Sequence, residues 1–591
     1  MKKFNFASKY IRDGKVSFQR FPVVMTFACL FALVAVYSNH QTQDIKSVLH
    51  LPTSTALMMV LVLGFFLALA INLADRSIHK LWVKASGNAR FILYILGLGI
   101  LVAMYLTLRP IDLEQQTRGL IYTYSGILLA TIVACSFLGR LSTQEDFEAY
   151  VAAIIYSEIL ALIYTIVLFG GLGAVLFAIN YLLGIQISST IYTDLFFILF
   201  GPVQAGFFLA AFPEDTMVKS DKDKTPFTFI LKKIITPVLL IYTGILYLYF
   251  IKMFTTGEIP SNLIRNLFVW YGLVSVISLF FHSRYMDEKI SRWMVTWYSR
   301  LVLPIILVYL YALNLRIQDV GITEARYLGL VFGIYVALSL IVLVWQEGRD
   351  NRTLAIILVI FLLLSSVGPQ SMTAVSKRSQ EKRLVGYLLS NDMLSHGKIV
   401  PKKKLKEEDK REITSIVNYL ATQHDPAEVK YLPKDFTMDR FDQLFGFPPE
   451  YYNGTVATEE EASSPGIDYY SSEYQEALDI RGYDKYYLLN FSNIPEGDKE
   501  KLRYFSITED QGDLVISKKD GDLEVLRIPL KEISGKYKAL TNGRSLQNPN
   551  DFAFEGKTKD FDYRLVITSL SVDQEEKNYY IEMALLTTER D

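Results

Sequence analysis

Between residues 21 and 376 the chain is a succession of apolar runs, each about 17 to 23 residues long, joined by short polar connections. Twenty helical residues rise about 30 Å, the thickness of a bilayer's hydrocarbon core. Peptide groups inside that core meet no water, so such a run must satisfy its hydrogen bonds within itself, as a helix. After residue 376 no run of this kind occurs and charged residues become frequent. The expected fold is therefore a polytopic α-helical membrane bundle of about 11 transmembrane helices. A soluble α+β tail follows, ending in a small antiparallel β domain.

The spans are expected near residues 21–37, 55–74, 91–107, 119–138, 151–184, 191–212, 233–254, 264–282, 299–314, 326–345 and 353–375. The fifth is long for one crossing, since its helix would reach about 51 Å. Its only interior turn candidate is "GGLG" at 170–173, and one span with an interfacial extension is the simpler reading. The first run, "FPVVMTFACLFALVAVY", lacks a small-residue cleavage site behind it and reads as a retained span rather than a removed signal peptide.

Charge orients the bundle. Of the 29 Lys and Arg before residue 377, the segments on the N-terminal side of the membrane hold 22. The opposite segments hold seven: Lys46, Arg109, Arg118, Lys252, Arg265, Arg316 and Arg326. Positive charge collects on the cytoplasmic side. Residues 1–20 are thus expected in the cytoplasm, 21–376 in the membrane, and 377–429 as a helical juxtamembrane segment. Residues 430–591 are expected to form an extracytoplasmic β-rich domain.

Within the tail, "SKRSQEKRLVGYLLSNDMLSHGK" and "EEDKREITSIVNYLATQ" place leucines, isoleucines and valines on helical stripes, with "HGKIVP" as the turn between them. Residues 423–470 read as irregular, with "FGFPPEYYNGT" and the acidic "ATEEEASSPG" as an exposed linker. Beyond about 476 the period becomes two. "VISKKDGDLEVLRI" is a hairpin pattern around Asp520-Gly521, "YRLVITSL" and "NYYIEMALLT" alternate, and Asn542-Gly543 marks a further turn. Six to eight short strands are expected, in a small sandwich or rolled sheet.

The tail carries 31 Lys and Arg against 40 Asp and Glu, which argues against nucleic acid, whose binding needs concentrated positive charge. The two cysteines, Cys29 and Cys135, both lie in apolar runs and build neither a disulfide framework nor a thiolate metal site. The six histidines show no ligand spacing, and zinc-protease, nucleophile-elbow, phosphate-loop and C-x-x-C signatures are missing. No catalytic residue, metal or cofactor is expected.

Ionisable residues within spans are costly and stand out for that reason. Glu158 in "YSEILALIY" and Asp194 in "YTDLFFILF" are the two candidates. The connection "LRIQDVGITEAR" (315–326) concentrates Arg316, Asp319, Glu324 and Arg326. Thr323 can cap the following helix, Glu324 suits its first turn and Gly321 permits the bend. Arg316, Asp319 and Arg326 remain as binding candidates, either docking the acidic tail or contacting a ligand. Gly329 and Gly333 form a GxxxG, which allows another helix to approach closely.

Three segments, "RIQDVGITEARY" (316–327), "VGPQSMTAVSKRSQEKRL" (367–384) and "DIRGYDKYY" (479–487), together resemble a bacterial family of multi-pass membrane proteins catalogued as domain of unknown function 4153. The resemblance implies a location in the bacterial cytoplasmic (inner) membrane and no particular chemistry. The function expected is binding or sensing by the extracytoplasmic domain, with the lipid bilayer and a periplasmic or cell-surface molecule as partners. A transporter of a small or lipidic substrate is the alternative, and a membrane-embedded transferase the third. Reporter fusions at residue 591 and within 213–230 should give signals from opposite sides of the membrane; same-side signals would contradict an odd number of crossings.

Overall fold

The computed structural model describes residues 15–40, 53–81, 88–108, 117–141, 147–213 (184 and 186 apart), 226–256, 262–346, 350–424, 426–450 and most of 467–589. Helices occupy each segment where a span is expected, except that the last ends at Ser366 rather than 375, the chain leaving helical geometry at Val367. They are α1 (Pro22–His40), α2 (Thr53–Leu81), α3 (Asn88–Leu108), α4 (Thr117–Leu138), α5 (Phe147–Leu183) and α6 (Ser189–Ala211). Then come α7 (226–256), α8 (Asn262–His282), α9 (Lys289–Val320), α10 (Glu324–Gln346) and α11 (Arg352–Ser366). Among the described residues, 9 helices are long and apolar enough to cross a membrane. Helix α11 is apolar but has 15 residues.

Helix α5 runs unbroken for 37 residues, straight through Gly170, Gly171 and Gly173. Breaking it there would leave peptide groups unpaired in hydrocarbon, a cost larger than glycine's poor helix propensity. Three other helices do change pitch. Helix α6 widens into a π turn at Leu199–Val203, where Gly201 leaves helical geometry (φ −91°, ψ −105°) just before Pro202. Helix α7 widens at Leu231–Ile235, and α9 at Met294–Tyr298, ahead of Pro304. Proline removes an amide donor and crowds the preceding turn, which accounts for interruptions close to it.

Side chains divide the helices between two main cores. Phe21, Leu69, Leu73, Cys135, Tyr150, Leu209 and Phe212 close α1, α2, α4, α5 and α6 together. Leu279, Met294, Tyr298, Val302, Ile305, Leu340 and Leu343 do the same for α7 to α10. Helices α9 and α10 are joined by three residues and lie against each other. Gly329 and Gly333 face α9, where added Cβ atoms would come within 2.6 Å of the Tyr309 hydroxyl and 2.7 Å of Leu310. The missing side chains allow that approach.

The described chain forms two compact units. The first runs through Lys382 and also takes in Thr422–Val429; the second comprises Arg383–Ala421 and Lys430–Asp591. Helix α12 (Met372–Ser390) therefore contributes to both, as does α13 (Glu407–Gln423). Between them, "HGKIVP" does more than turn. Strands β1 (Leu394–Ser395) and β2 (Lys398–Ile399) pair across His396 (φ 50°) and Gly397 (φ 76°), the two positive φ angles of a tight hairpin. The segment expected to be irregular includes the short helix α14 (Phe441–Phe445), whose phenylalanines stack with ring centroids 4.5 Å apart.

Eight strands follow. They are β3 (Ile467–Ser471), β4 (Lys485–Ser492), β5 (Phe505–Asp510), β6 (Asp513–Lys518), β7 (Leu523–Pro529), β8 (Ala553–Lys557), β9 (Phe561–Asp573) and β10 (Asn578–Glu589). One antiparallel sheet has the order β3-β9-β10-β4, with β8 also on β9, and the other has the order β5-β6-β7. The expected hairpin is present, with Lys518 opposite Leu523. Its turn residues, Asn542-Gly543 and the expected linker "ATEEEASSPG" lie outside the described residues. Both sheets send alternate side chains into one core, including Phe491, Ile516, Ile528, Ile567 and Met583, as period-two patterning requires.

Candidate functional site

The turn between α9 and α10 is where polar side chains from separate parts of the sequence converge. Gly321 closes α9 with φ 76°, and its amide donates to the Ile317 carbonyl. A non-glycine residue is strained at that φ. Thr323 then starts α10 through its carbonyl, which accepts from the Tyr327 amide at 2.8 Å. The expected side-chain cap does not form: the buried Thr323 hydroxyl has no hydrogen-bond partner among the described residues.

Helix α12 lies on this turn. Ser376, Ser379 and Gln380 share one helical face, spaced i, i+3 and i+4. Ser379 Oγ accepts from the Ile322 amide at 2.9 Å. Gln380 Nε2 donates to the carbonyls of Val320 (3.1 Å) and Ile322 (3.2 Å). These bonds take up backbone groups that a helix C-terminus leaves without intrahelical partners. Ser376 Oγ donates to Glu324 Oε1 at 2.7 Å, and the Tyr327 hydroxyl donates to the Gln370 carbonyl.

Glu324 is 7% exposed, and His424, 8% exposed, brings Nε2 to 3.5 Å from the same carboxylate oxygen. That separation is an ion-pair distance only if the imidazole is protonated. Burial pushes the His424 imidazole below its ordinary range; Glu324, Glu381 and Glu428 pull it upward, while Lys377 pushes it down. Lys377 pairs with Glu428 at 3.1 Å, beside the same segment. A buried carboxylate held by a hydroxyl and faced by a titratable ring is a polar fastening that responds to pH.

The residues singled out in the sequence fall in several places. Arg326 Nη1 donates to the Gly321 carbonyl at 3.2 Å, stiffening its own turn. Arg316 is partly buried near the end of α9, and Asp319 is exposed. Asp194 accepts from Asn39 Nδ2 at 2.8 Å and lies 2.6 Å from His40 Nε2, joining the start of α6 to the end of α1. Glu158, on α5, accepts from Gln204 Nε2 at 2.7 Å, one turn from the Gly201-Pro202 interruption. Thus Arg326 and Glu324 share one locality, whereas Glu158 and Asp194 form two separate polar contacts.

Sequence reading missed His424, Ser376, Ser379 and Gln380. The only signal for the last three was their spacing in "SMTAVSKRSQEKRL", and His424 is about 100 positions from Glu324. It also missed a buried hydroxyl group inside the bundle. Thr243 Oγ1 and the Tyr271 hydroxyl are 2.8 Å apart, and Ser275 Oγ lies 3.0 Å from the Tyr298 hydroxyl. Toward one end of α8, His282 bridges Thr236 (2.9 Å) and Ser291 (3.0 Å). Among the described residues no group of three or more His, Cys, Asp or Glu could hold a metal ion.

The depressed His424 value sets the sign of a pH effect. A neutral imidazole is favoured in the fold, so below the unfolded-state value of about 6.5 the unfolded chain binds the extra proton more readily. Protease resistance around 422–429 should be flat above that pH and fall below it, and His424→Gln should flatten the fall. Increasing resistance on acidification would contradict this. Glu324→Ala should lower stability by about 1–3 kcal/mol at neutral pH, by leaving buried polar partners unpaired.

No curated protein and no solved structure matches the chain. A family model described as a domain of unknown function (DUF4153) matches residues 24–396. That range covers the helical bundle, all of α12 and the turn that α12 holds. The chain therefore belongs to the DUF4153 family.

Proposed function

We propose that this protein is a multi-pass inner-membrane protein of a bacterium that binds or senses a molecule on the extracytoplasmic side through its C-terminal unit. The bundle, with eleven crossings, receives that event. The observation that carries the reading is the fastening of α12 and residues 422–429 to the α9–α10 turn through Glu324. The chain passes between its two units three times: in α12, at the end of α13 and after Val429. The first passage follows Ser376 and the second precedes His424 by a few residues, and both side chains meet one buried carboxylate at the head of two packed helices. A change that pulls on either passage is felt first at Glu324, and the α9–α10 pair is the element positioned to respond.

A second reading, transport, draws on Glu158 and Gln204 beside the interrupted helix α6. Discontinuous membrane helices with a nearby carboxylate occur at substrate and ion sites of transporters. Helices α7 and α9 also change pitch, which supplies further places where a bundle could flex.

One complementation experiment separates the two. In a strain whose growth or envelope phenotype depends on this gene, truncation after residue 429 and Glu324→Ala should each remove function. Glu158→Gln should retain it, with comparable amounts of protein in the membrane. Loss with Glu158→Gln alone, and retention after truncation, would replace sensing with transport.

A further inference from the structure

The end of the bundle opposite the Glu324 turn carries two cations aimed at one aromatic ring. Tyr285, in the connection between α8 and α9, is buried, and its hydroxyl is 2.9 Å from Thr228 Oγ1 of α7. Lys232 places its ammonium 3.8 Å from the Tyr285 ring centroid. Arg284 places its guanidinium carbon 5.7 Å from the same centroid. Lys232 is balanced by Glu288 at 2.6 Å. Arg284 is not balanced in this way: its Nε is buried and has no hydrogen-bond partner among the described residues. A buried guanidinium N–H without an acceptor costs more than an ordinary unmade hydrogen bond, because the group is charged.

The surroundings fix the level of this site relative to a bilayer. Helix α9 has 32 residues and would reach about 48 Å, well beyond a hydrocarbon core of about 30 Å. Its first turns therefore extend into the headgroup layer. Trp293 and Trp297 are exposed on those turns, and Trp345 is 84% exposed in the last turn of α10, at the same end of the helix pair. Exposed tryptophans collect at the membrane–water interface. Further cations flank them: Arg300 stands over the Trp297 ring at 5.3 Å, and Arg292 Nε donates to the Met286 carbonyl at 3.1 Å.

We propose that Arg284, with Lys232 across the Tyr285 ring, binds the phosphate of an anionic phospholipid headgroup. The guanidinium offers planar paired donors suited to phosphate oxygens, and the ammonium adds a point charge. A zwitterionic lipid carries the same phosphate but adds a quaternary ammonium that Arg284 and Lys232 repel, so the site favours a lipid of net negative charge. Glu288 competes with the phosphate for Lys232 and weakens its binding. The acyl chains of such a lipid would lie along the apolar face that α9 exposes below Trp297, at Leu301 and Leu307.

The test uses the full-length protein in a mild nonionic detergent, with dioleoyl-phosphatidylglycerol, dioleoyl-phosphatidylcholine or inorganic phosphate added. Bound lipid is counted by native mass spectrometry and affinity is followed by thermal shift. Phosphatidylglycerol should bind and raise the melting temperature, and phosphatidylcholine should not. Arg284→Gln should weaken phosphatidylglycerol about fivefold, the contribution of one basic contact near the surface. Glu288→Gln should strengthen it, by freeing Lys232. If Arg284→Gln does not fold, Arg284→Lys, which keeps the charge, and Glu288→Gln decide the matter. Equal binding of the two lipids, unchanged affinity in Arg284→Gln, or no gain in Glu288→Gln would overturn the proposal. So would a full shift from inorganic phosphate alone, which would make the ligand a soluble anion.

Discussion

Hydrocarbon offers a peptide group no hydrogen-bonding partner, and that constraint organises everything up to residue 366. It keeps α5 helical across Gly170, Gly171 and Gly173, where water would have favoured a turn. It also requires that each place where the helical ladder is disturbed be closed by something else. Gly201 departs from helical angles only where α1 packs directly against it, its absent Cβ lying 3.4 Å from Phe31. Side-chain polar groups obey the same rule. Thr243, Tyr271, Ser275 and Tyr298 meet one another in the bundle interior rather than facing lipid.

At the ends of the helices the constraint relaxes, and the polar contacts there differ in kind. The end bearing Arg284 is a mixture of cations, tryptophans and one buried tyrosine, which suits a charged headgroup layer. The end bearing Glu324 is instead covered by the chain itself. Ser379 and Gln380 take up the open backbone groups of the turn, and Ser376 holds the carboxylate. The α9–α10 connection is thereby closed by α12, the first helix after the bundle. This closure makes residues 372–382 and 422–429 part of the same compact unit as the bundle.

The helices were legible because their signal is length and apolarity, which need no knowledge of neighbours. The β strands were legible for a similar reason, since alternation such as "YRLVITSL" records burial on one face. What the sequence hid was pairing across distance. Glu324 reads as a first-turn acid that complements the helix dipole, and nothing local announces that Ser376 and His424 will meet it. Thr323 reads as a cap, yet its hydroxyl has no hydrogen-bond partner among the described residues. The π turns at 231–235 and 294–298 were fainter in the sequence, since Pro237 and Pro304 follow them rather than falling within them. The grouping of segments 316–327 and 367–384, quoted as separate motifs, acquires a physical meaning only in the fold. They are the two sides of one polar contact.

The claim on which this account rests is that Glu324 and Ser376 act on each other across that contact. A double-mutant cycle measures it directly, with Glu324→Ala, Ser376→Ala and the double variant compared by unfolding in detergent. A hydrogen bond to a carboxylate should appear as a coupling energy of about 1.5–3 kcal/mol, the double variant being less destabilised than the sum of the singles. Simple additivity, with a coupling energy near zero, would contradict the account.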